Sequence, residues 1–435
     1  MKIAIAGTGY VGLVTAVCLA EKGHNVICVD VDKNKIEYLN NGGNAPIYEE
    51  DLDNLMKKNR RNLAFTTDYK SAYQDADVIF IGVGTPEKKD GSANLSYVFE
   101  VAKQIADSVI NNCVVVIKST VPIGTNEKIE KFLLENKKTN GDIYVVSNPE
   151  FLAQGTAVND TLNASRIIIG VEEEKPKKIM LDVYAGFDAP KLVTNRRSAE
   201  MIKYASNDFL ALKISYVNEI ANLCEKIGAD IEDVTRGMGY DSRIGSKFLM
   251  AGIGYGGSCF PKDTKALYWL SNFHDYELKT VKAAIEVNEN QKLKLIKKAK
   301  KYYNSFENLT IAVLGLTFKP GTDDLREAPS MINIPIFLED GANVKVYDPI
   351  GEKNFRKIFK DEIIYCKTIE ETIKEADICF IFTEWKEIEE FDVAKFSILM
   401  RRAVILDGRN CFKLEQMQNN CEVYESIGRR IIYRK

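Results

Sequence analysis

Histidine is nearly absent from this sequence: only His24 and His274 occur among its 435 residues. Catalytic triads and metal clusters that rely on histidine are therefore almost excluded, because both need an imidazole beside a nucleophile or beside further ligands. Any acid–base chemistry has to come from Lys, Asp, Glu or Cys side chains.

Cysteine is present, but in no pattern that indicates a metal site. The nine cysteines are scattered and form no C-x-x-C pair. Disulfide frameworks and structural zinc sites are therefore not expected, no metal site is predicted, and a reducing cytoplasm is the compartment that fits best.

Long hydrophobic runs are also missing, and a membrane-spanning helix would need about 18 apolar residues in succession. The apolar N-terminus is interrupted by Gly7, Gly9 and Gly12, so we expect a strand–turn–helix there rather than a signal peptide. A formal net charge of −3 argues against general nucleic-acid binding but leaves room for a local phosphate pocket. The length predicts two or three domains.

Short apolar runs alternate with amphipathic segments over the first part of the chain. They are rich in Val and Ile, as parallel strands buried on both faces should be. With helices between them, they predict βαβ units and a doubly wound α/β sheet. The predicted strands are Lys2–Ala6, Asn25–Asp30, Asp77–Val83, Cys113–Ser119, Ile143–Ser147 and Arg166–Gly170.

A long helix is predicted from Arg196 to Ile227, a run with helical periodicity and without Pro or Gly. Gly228 is expected to end it, after roughly 45–50 Å. Such a helix is too long for one small domain to bury, so we expect it to link two sheets and to carry a homodimer interface. A second helical segment is expected over about Leu278–Tyr303. Further strands are expected at Leu309–Leu314, Asn343–Tyr347, Ala376–Phe382 and Ala403–Leu406.

The two ends of the chain resemble each other. GHNVICVD ends at Asp30 and GANVKVYD ends at Asp348, so each segment places an acid seven residues after a glycine. The sequence therefore predicts two Rossmann-like doubly wound domains, joined by a central helical domain with the long helix. The second half has GLTFKPGTDD where the first has GTGYVG, so its sheet should hold a ligand other than NAD. The predicted domains are residues 1–195, 196–300 and 301–435.

A G-x-G-x-x-G fingerprint, Gly7-Thr8-Gly9-Tyr10-Val11-Gly12, lies between the first predicted strand and helix. Its glycines allow a tight turn and a close approach of the backbone to a pyrophosphate at a helix N-terminus. Asp30 ends the next strand, where an acid binds the ribose diol and repels a 2′-phosphate. We therefore predict NAD as the cofactor, with Gly7, Gly9, Tyr10, Val11, Gly12 and Asp30 around it.

Two further pairs of residues suit a ligand but have ordinary explanations as well. Thr85 and Thr120 follow predicted strands, where hydroxyl groups face the ligand crevice, yet caps and turns explain them equally well. Lys203 and Asn207 share a face of the long helix and would deprotonate or polarise a substrate oxygen. Taken alone, a solvated lysine is the commoner case.

The stretch Gly254–Asp263, GYGGSCFPKD, carries the clearest chemical signal. Pro261 suits the start of a helix, so Cys259 is expected just ahead of a helix N-terminus. There the helix dipole and the charge of Lys262 favour a thiolate. Asp263 would lie over the same turn and act as a base. A buried structural cysteine is the alternative.

These motifs occur together with others in a characteristic order. In that order they resemble the UDP-glucose/GDP-mannose dehydrogenase family, over essentially the whole chain, and GYGGSCFPKD is the most specific of them. GDP-mannose and UDP-N-acetylmannosamine dehydrogenases differ around the cysteine. The order is Gly7–Gly12, Asp30, GVGTP, KSTVPIGT, NPEFLAQG, KYASN, FLMAGIGYGGSCFPKDTKAL, GLTFKPGTDDLREAPS and LDGRN.

The resemblance implies site residues for both ligands, and a UDP-sugar as the substrate. Contacts to NAD would come from Val11, Asp30, Lys35, Thr85, Thr120, Glu150, Lys262 and Arg326. Contacts to the UDP-sugar would come from Glu150, Phe151, Leu152, Ala153, Gln154, Lys203, Asn207, Phe248, Leu249, Met250, Ala251, Gly252, Gly256 and Lys319. Arg243 and Arg409 would be further substrate contacts, Arg243 from a neighbouring subunit.

The reaction that the resemblance implies is a four-electron oxidation of UDP-glucose at C6 to UDP-glucuronate, with two NAD consumed. Either Lys203 or a water held by Asp263 and Thr120 would take the proton of the C6 hydroxyl. Lys203 and Asn207 would then stabilise the oxyanion.

Cys259 would add to the C6 aldehyde as a thiohemiacetal, which can donate hydride and become a thioester. Water activated by Asp263 or Glu150 would hydrolyse that thioester. Three rivals remain: a dehydrogenase of GDP-mannose or a UDP-N-acetylhexosamine, a Rossmann-type thiol hydrolase or transferase, and a silent nucleotide-binding protein. The intact glycine fingerprint with Asp30 disfavours the hydrolase, and Cys259 with Lys203 and Asp263 disfavours the silent binder.

Overall fold

An eight-stranded sheet organises the first unit of the chain, Met1–Ser206. The computed structural model describes residues 1–434. Across the sheet the strands follow the order β3-β2-β1-β4-β5-β6-β7-β8, and the first six form the parallel Rossmann arrangement. The strands are β1 (Lys2–Ala6), β2 (Asn25–Val29), β3 (Leu63–Thr66), β4 (Val78–Ile81), β5 (Cys113–Ile117), β6 (Ile143–Ser147), β7 (Ile167–Gly170) and β8 (Lys191–Thr194).

Helices cover both faces of this sheet. Because alternate strand residues point to opposite sides, Ile3 and Phe80 lie in one apolar core while Ala4 and Ile79 lie in the other. The helices are α1 (Tyr10–Glu21), α2 (Lys33–Asn40), α3 (Leu52–Lys58), α4 (Tyr69–Tyr73), α5 (Ser96–Ser108), α6 (Thr125–Asn136), α7 (Ala157–Leu162) and α8 (Glu174–Val183), followed by α9 (Arg196–Ile227).

The predicted all-parallel pairing is wrong for β7, which runs antiparallel to β6 through the pair Ser147 and Gly170. For β7 to run parallel to β6, the connection between them must bring the chain back to the end of the sheet where β6 begins. The only helix in this connection, α7, has six residues and spans about 9 Å, less than the ~16 Å of a five-residue strand. The chain therefore returns antiparallel, and β8 then pairs with β7 in parallel.

Two strands of the first sheet were not predicted. β3 and β8 are its edge strands, and neither is a continuous buried run. Because only part of an edge strand is covered, its sequence lacks the apolar signal that revealed the central strands.

The second unit begins at Asn207 and is built on a seven-stranded sheet. Its order, β11-β10-β9-β12-β13-β14-β15, repeats the Rossmann arrangement over six strands, and β15 is antiparallel to β14. The predicted class, α/β with two Rossmann-like sheets and one long helix, is therefore confirmed. The strands are β9 (Thr310–Leu314), β10 (Asn343–Tyr347), β11 (Ile364–Tyr365), β12 (Ile378–Ile381), β13 (Val404–Asp407), β14 (Val423–Glu425) and β15 (Ile432–Tyr433).

The helices of the second unit precede its sheet or connect its strands. Among residues 1–434, no helix has the length and hydropathy needed to cross a membrane. These helices are α10 (Ile231–Gly239), α11 (Phe260–Phe273), α12 (Lys279–Lys292), α13 (Lys294–Ala299), α14 (Pro329–Glu339), α15 (Glu352–Phe359), α16 (Ile369–Ile373), α17 (Lys386–Glu389), α18 (Ala394–Leu399) and α19 (Leu414–Met417).

The long helix has the predicted bounds, but the second helical segment does not. α9 covers 32 residues, and Gly228 follows it with φ of +78°, the left-handed conformation that ends a helix. The predicted segment Leu278–Tyr303 is two helices that break at Leu293. Asn333 donates a side-chain hydrogen bond to the Lys292 carbonyl at 2.9 Å, which takes an acceptor that a continuous helix would use.

Candidate functional site

The turn after β1 has the geometry of a phosphate-binding turn. Gly7 has φ of +94°, and a Cβ on Gly12 would lie 2.0 Å from the Gly7 carbonyl oxygen. A Cβ on Gly9 would meet nothing within 4 Å, and no side chain within residues 1–434 caps α1. The first N–H groups of α1 therefore have room for an anion, so these residues fit the pyrophosphate of NAD.

The Asp30 carboxylate lies beside this turn. Its Oδ2 accepts hydrogen bonds from the Thr8 N–H at 2.9 Å and from the Lys35 ammonium group at 2.8 Å. Burial alone would raise the pKa of Asp30, but the bonds from Lys35 and Thr8 outweigh it and hold the pKa at about 2. Asp30 is thus ionised at neutral pH. A group that binds a ribose diol and repels a 2′-phosphate must carry this negative charge.

The two predicted threonines meet at the edge of the first sheet. The Thr85 hydroxyl donates to the Thr120 carbonyl at 2.9 Å, which joins the loops after β4 and β5. Tyr10 has a contact that its place in the fingerprint did not predict: its hydroxyl accepts the Gly155 N–H at 2.8 Å. Tyr10 therefore fixes the end of the segment Glu150–Gln154, which was predicted to hold the substrate.

A buried ion pair joins Lys203 to that segment. Lys203 Nζ lies 2.9 Å from Glu150 Oε1, and the two side chains are only 3% and 6% exposed. Glu150 also accepts the Leu152 N–H at 2.9 Å, and Lys203 Nζ lies 5.5 Å from the centre of the Phe151 ring. This burial excludes the alternative of a solvated lysine on a helix face.

Lys118 is a further cation at this edge, and no role for it followed from the sequence. It comes directly after β5 and begins the KSTVP motif. Its ammonium group donates to Asn148 Oδ1 at 3.1 Å, and the Asn148 N–H donates to the Ile117 carbonyl at 2.9 Å. A lysine directly after a buried strand, two positions before Thr120, was the signal that could have revealed it.

Cys259 lies where the sequence predicted, at the N-terminal boundary of α11, with Pro261 in the first turn. The Asp263 N–H donates to the Cys259 carbonyl at 2.8 Å, and Cys259 Sγ lies 3.7 Å from Ser258 Oγ. All nine cysteines are described, and only Cys259 and Cys411 are not buried. The thiol therefore has access to a ligand and a helix N-terminus beside it.

Arg326 supports the cysteine loop and adds charge to it. Its carbonyl accepts the Gly257 N–H at 2.7 Å. Burial lowers the pKa of Arg326, but a hydrogen bond to Asp324 and the negative charge that Cys259 can carry raise it overall. Arg326 therefore holds this loop through its backbone and places a positive charge near Cys259.

Asp263 is a buried carboxylate with two side-chain donors. It is 1% exposed, accepts the Asn207 side-chain amide at 2.7 Å, and pairs with Lys262, which was expected at the cofactor. Asp208 is a second buried acid that the sequence did not reveal. Burial and the charge of Asp263 raise the pKa of Asp208 to about 8. Its position next to Asn207 indicates a buried acid only once it is known which face of α9 is buried.

The predicted substrate segment Phe248–Gly252 is fixed at its end by side chains. The Gly252 N–H donates to Asn218 Oδ1 at 2.8 Å, and its carbonyl accepts the Gln291 side-chain amide at 2.7 Å. Within the segment, Leu249 lies in the apolar core whereas Met250 is 80% exposed.

Gly256 lies in the following loop, where the backbone passes close to its neighbours. A Cβ on Gly256 would lie 2.5 Å from the Glu327 carbonyl oxygen. Glu327 itself has φ of +56°, and its carboxylate is paired with the buried Lys292 at 2.6 Å. The Gly-rich loop therefore needs glycine at this position because the segment around Glu327 leaves no space for a side chain.

Arg409 connects three backbone segments of the second unit. It donates to the Phe382 carbonyl at 2.9 Å, to the Phe318 carbonyl at 3.0 Å and to the Gly254 carbonyl at 3.3 Å. Lys319, the other predicted basic contact, has its Nζ 5.8 Å from the centre of the Phe318 ring. The structure thus brings Lys319 and Arg409 together around the loop after β9.

Arg243 lies apart from this cluster. Its side chain is 88% exposed and pairs with Asp241 at 2.7 Å. All its side-chain hydrogen bonds go to Asp241, so within residues 1–434 it joins no other predicted site residue.

Asp348 occupies the position in the second sheet that Asp30 has in the first, but Asp348 is buried whereas Asp30 is half-buried. Oδ2 accepts the Leu316 N–H at 2.7 Å and the Trp385 indole N–H at 3.0 Å, while Oδ1 accepts the Gly351 N–H at 2.6 Å. Because it is buried and also binds the Trp385 side chain, Asp348 serves the loop around it rather than a ribose.

Three sequence profiles of one family match the chain in succession. They are the NAD binding domain over residues 1–188, the central domain over residues 197–290 and the UDP binding domain over residues 312–414. The chain belongs to the UDP-glucose/GDP-mannose dehydrogenase family. The predicted NAD-dependent dehydrogenase class is thereby confirmed, and the UDP binding domain of this dehydrogenase covers most of the sheet for which a ligand other than NAD was predicted.

Individual members of the family match the dehydrogenase over its full length. It is 46% identical to UDP-glucose 6-dehydrogenase YwqF of Bacillus subtilis strain 168, over 99% of this chain and 98% of that protein. A UDP-glucose dehydrogenase structure from Pyrobaculum islandicum matches with a TM-score of 0.93 and 36% identity, covering 98% of both chains. A UDP-D-ManNAc dehydrogenase structure from Pyrococcus horikoshii matches with a TM-score of 0.86 and 27% identity, covering 99% of both.

The ionised Asp30 leads to a prediction about cofactor choice. Replacing Asp30 with Ala should lower kcat/KM for NAD by roughly tenfold, ~1.4 kcal/mol, while NADP is affected less because the repulsion of its 2′-phosphate is lost. Steady-state rates with both cofactors measure the ratio. Asp68→Ala is a matched control, since Asp68 is an acid that follows β3 and caps α4. Equal kcat/KM for NAD and NADP in the unaltered protein would contradict the role of Asp30.

Proposed function

We propose that this dehydrogenase oxidises UDP-glucose at C6 to UDP-glucuronate and consumes two NAD per sugar. The observation that carries the proposal is Cys259 at the start of α11, with Asp263 one turn further on and bound by Asn207. A thiol is what a second oxidation at the same carbon needs, because a thiohemiacetal can donate hydride. The full-length 46% identity to UDP-glucose 6-dehydrogenase YwqF supports UDP-glucose as the sugar nucleotide.

NAD, when bound, supplies the hydride acceptor for both oxidation stages. Its pyrophosphate would lie at the turn Gly7–Gly12 and its ribose at Asp30, with Lys35, Thr85 and Thr120 nearby. Lys262 and Arg326 are retained as cofactor contacts in this proposal, as the family resemblance implies. The UDP-sugar would be held by the segments Glu150–Gln154 and Phe248–Gly252 and by the residues Lys203, Asn207, Gly256, Lys319 and Arg409.

In the first stage a base removes the proton of the C6 hydroxyl, and the carbon becomes an aldehyde. Lys203 is suited to accept this proton as a neutral amine, because it is buried and Glu150 lies beside it to pair with the ammonium group that forms. Asn207 adds a neutral donor on the same face of α9 that stabilises negative charge on oxygen.

In the second stage the Sγ of Cys259 adds to the aldehyde carbon and forms a thiohemiacetal. Loss of hydride from that carbon gives a thioester bound to Cys259. Water then adds to the thioester carbonyl, and the sulfur leaves as a thiolate. Asp263 is suited to activate this water, because its carboxylate is buried and is fixed by Asn207.

We also propose a homodimer built on α9, with Arg243 reaching the neighbouring subunit. Phe209, Tyr216 and Leu223 recur every seventh residue on α9 and are 61%, 49% and 50% exposed. Residues seven apart share one helix face, so they form an apolar stripe. Such a stripe is costly to leave in water, and burial against a second copy would remove that cost.

The proposed compartment is the cytoplasm, and the proposed division into domains is residues 1–195, 196–300 and 301–435. None of the nine cysteines, all of them described, forms a disulfide, which suits a reducing environment.

The substrate assignment is tested by offering the purified protein a panel of sugar nucleotides. UDP-glucose should give the highest kcat/KM and two NADH per sugar, with UDP-glucuronate as the product. Faster turnover of GDP-mannose or of a UDP-N-acetylhexosamine, or one NADH per sugar, would reject the assignment.

Cys259 is tested by replacement. Cys259→Ala should abolish acid formation while NAD and UDP-glucose still bind, because the thiol is needed only from the second stage onward. Cys259→Ser should stall as an ester to the sugar nucleotide, which intact-protein mass spectrometry would detect. Cys411→Ala is the matched control, since Cys411 is the other cysteine that is not buried. Acid formation by Cys259→Ala within about tenfold of the parent rate, ~1.4 kcal/mol, would show that Cys259 is structural.

The dimer is tested by placing a charge in the apolar stripe. Phe209→Glu should give a monomer in light scattering, because a carboxylate buried at an interface without a partner is strongly unfavourable. Ile398→Glu is the control, as Ile398 is a 73% exposed apolar residue on α18. A parent protein that is monomeric and fully active would contradict both the dimer and the role of Arg243 in a neighbouring site.

A further inference from the structure

The connection between α2 and α3 carries Glu49, a half-buried acid with no part in the function proposed so far. Its Oε2 accepts the Gly155 N–H at 2.8 Å, and its Oε1 accepts the Ala157 N–H at 2.6 Å. Glu49 and Gly155 are 106 residues apart in the sequence, so local backbone geometry does not account for these bonds. One carboxylate therefore binds two N–H groups of the chain that directly follows the predicted substrate segment Glu150–Gln154.

The start of α7 receives its acceptor from Glu49 rather than from the residue before the helix. Within the described part of the chain, the Thr156 side chain accepts no hydrogen bond from the first N–H groups of α7. The Thr156 hydroxyl donates to Asp160 Oδ2 at 2.8 Å, and the same oxygen accepts the Ala153 N–H at 2.9 Å. The end of the substrate segment is thus held by two acids, one from α7 itself and one from a distant connection.

The Gly155 N–H has a second acceptor, which comes from the cofactor turn. The Tyr10 hydroxyl oxygen lies 2.8 Å from the same nitrogen. Tyr10 is the first residue of α1 and belongs to the turn Gly7–Gly12, which fits the pyrophosphate of NAD. Two oxygens, from Glu49 and Tyr10, thus share one N–H, and either of them alone is enough to keep that N–H hydrogen-bonded.

We propose that Glu49 is a positioning residue of the UDP-sugar site: together with Tyr10, it fixes the end of the segment Glu150–Gln154, so that this segment is in place before the sugar nucleotide binds. A segment that is already ordered loses less conformational entropy on binding, and the ligand is therefore bound more tightly. Glu49 acts through the backbone of the segment and not on the reacting atoms.

The inference rests on the proposed function, because it takes the segment Glu150–Gln154 as part of the UDP-sugar site. It extends that function to a residue outside the sequence motifs. The ribose contact of NAD should not depend on Glu49, since the Asp30 carboxylate is held by Thr8 and Lys35. Loss of Glu49 should therefore weaken the sugar nucleotide selectively, whereas a general loss of stability would weaken both ligands.

The test measures the Kd of UDP-glucose by calorimetry and the Kd of NADH by fluorescence, each ligand alone with the full-length protein, so that no turnover occurs. Glu49→Gln keeps the size of the side chain, but its amide has a single acceptor oxygen, so one of the two N–H groups loses its bond. The Kd of UDP-glucose should rise roughly fivefold, and the Kd of NADH should stay within about twofold of the parent value. Glu49→Ala removes both bonds and should weaken UDP-glucose further.

Tyr10→Phe is the second variant, because it removes the other acceptor of the Gly155 N–H. With Glu49 intact that N–H keeps an acceptor, so the Kd of UDP-glucose should rise by less than about threefold. When Glu49→Ala and Tyr10→Phe are combined, the N–H loses both acceptors, and the rise should exceed the product of the two single effects. Glu50→Gln is the matched control, since Glu50 is the exposed acid next in the sequence, and both dissociation constants should stay those of the parent.

Three results would overturn the inference. They are a Glu49→Ala variant that binds UDP-glucose within about twofold of the parent, an equal rise of both dissociation constants, and effects of Glu49→Ala and Tyr10→Phe that simply multiply. If Glu49→Ala fails to fold, Glu49→Gln decides, because a parent Kd for UDP-glucose in that variant would also overturn the inference. A parent protein that does not bind UDP-glucose would reject the proposed substrate and not Glu49, and the same constants are then measured with the sugar nucleotide that gives the highest kcat/KM.

Discussion

Parallel strand pairing is the constraint on which the first unit depends. Because β1, β2, β4, β5 and β6 run in the same direction, the residues that follow each of them reach one edge of the sheet. That edge receives the glycine turn from β1, Asp30 from β2, Thr85 from β4, Lys118 from β5 and Glu150 from β6. Each is separated from the next by a helix or a long connection, yet hydrogen bonds such as that between Thr85 and Thr120 hold neighbouring loops together. The positions of the strands' carboxyl ends therefore determine which of these groups lie at the same edge of the sheet.

The second unit has the same strand order over six strands, but its polar site residues are arranged differently. The groups that we propose to react do not come from its sheet but from α9 and from the loop before α11, where Asn207 binds Asp263 and Cys259 precedes the helix. The sheet supports this region, because Arg409, which follows β13, donates hydrogen bonds to the carbonyls of Phe318 and Gly254. In the proposed function, a fold that binds one nucleotide at a strand edge is thus combined with a helical segment that carries the nucleophile.

Much of the fold was predictable from the sequence, because the central strands and α9 have strong local signals. Buried runs with β-branched residues marked β1 and β6 to the residue, and the absence of Gly and Pro marked α9. What could not be predicted depends on contacts between distant residues. Examples are the return of β7, the break at Leu293 where Asn333 takes a carbonyl, and the edge strands that are only partly covered. For the site, the motifs identified Cys259 and Asp30. The burial of Lys203 against Glu150, 53 residues earlier in the chain, and the cation at Lys118 became visible only in three dimensions.

The burial of Asp348 has a consequence for how two sheets of the same strand order differ in the ligands they suit. An acid follows the second strand of each sheet, but Asp348 is buried and also accepts the Trp385 indole N–H, whereas Asp30 is half-buried. Placing the fingerprint glycines in the loop after β9 would therefore give a turn without a carboxylate that a ribose could reach. Exposing Asp348 would also require loss of the indole, and that change would weaken the support of a buried charge. The difference between the two sheets is thus maintained by packing as well as by the glycine motif, so restoring the motif alone would not make the second sheet a second dinucleotide site.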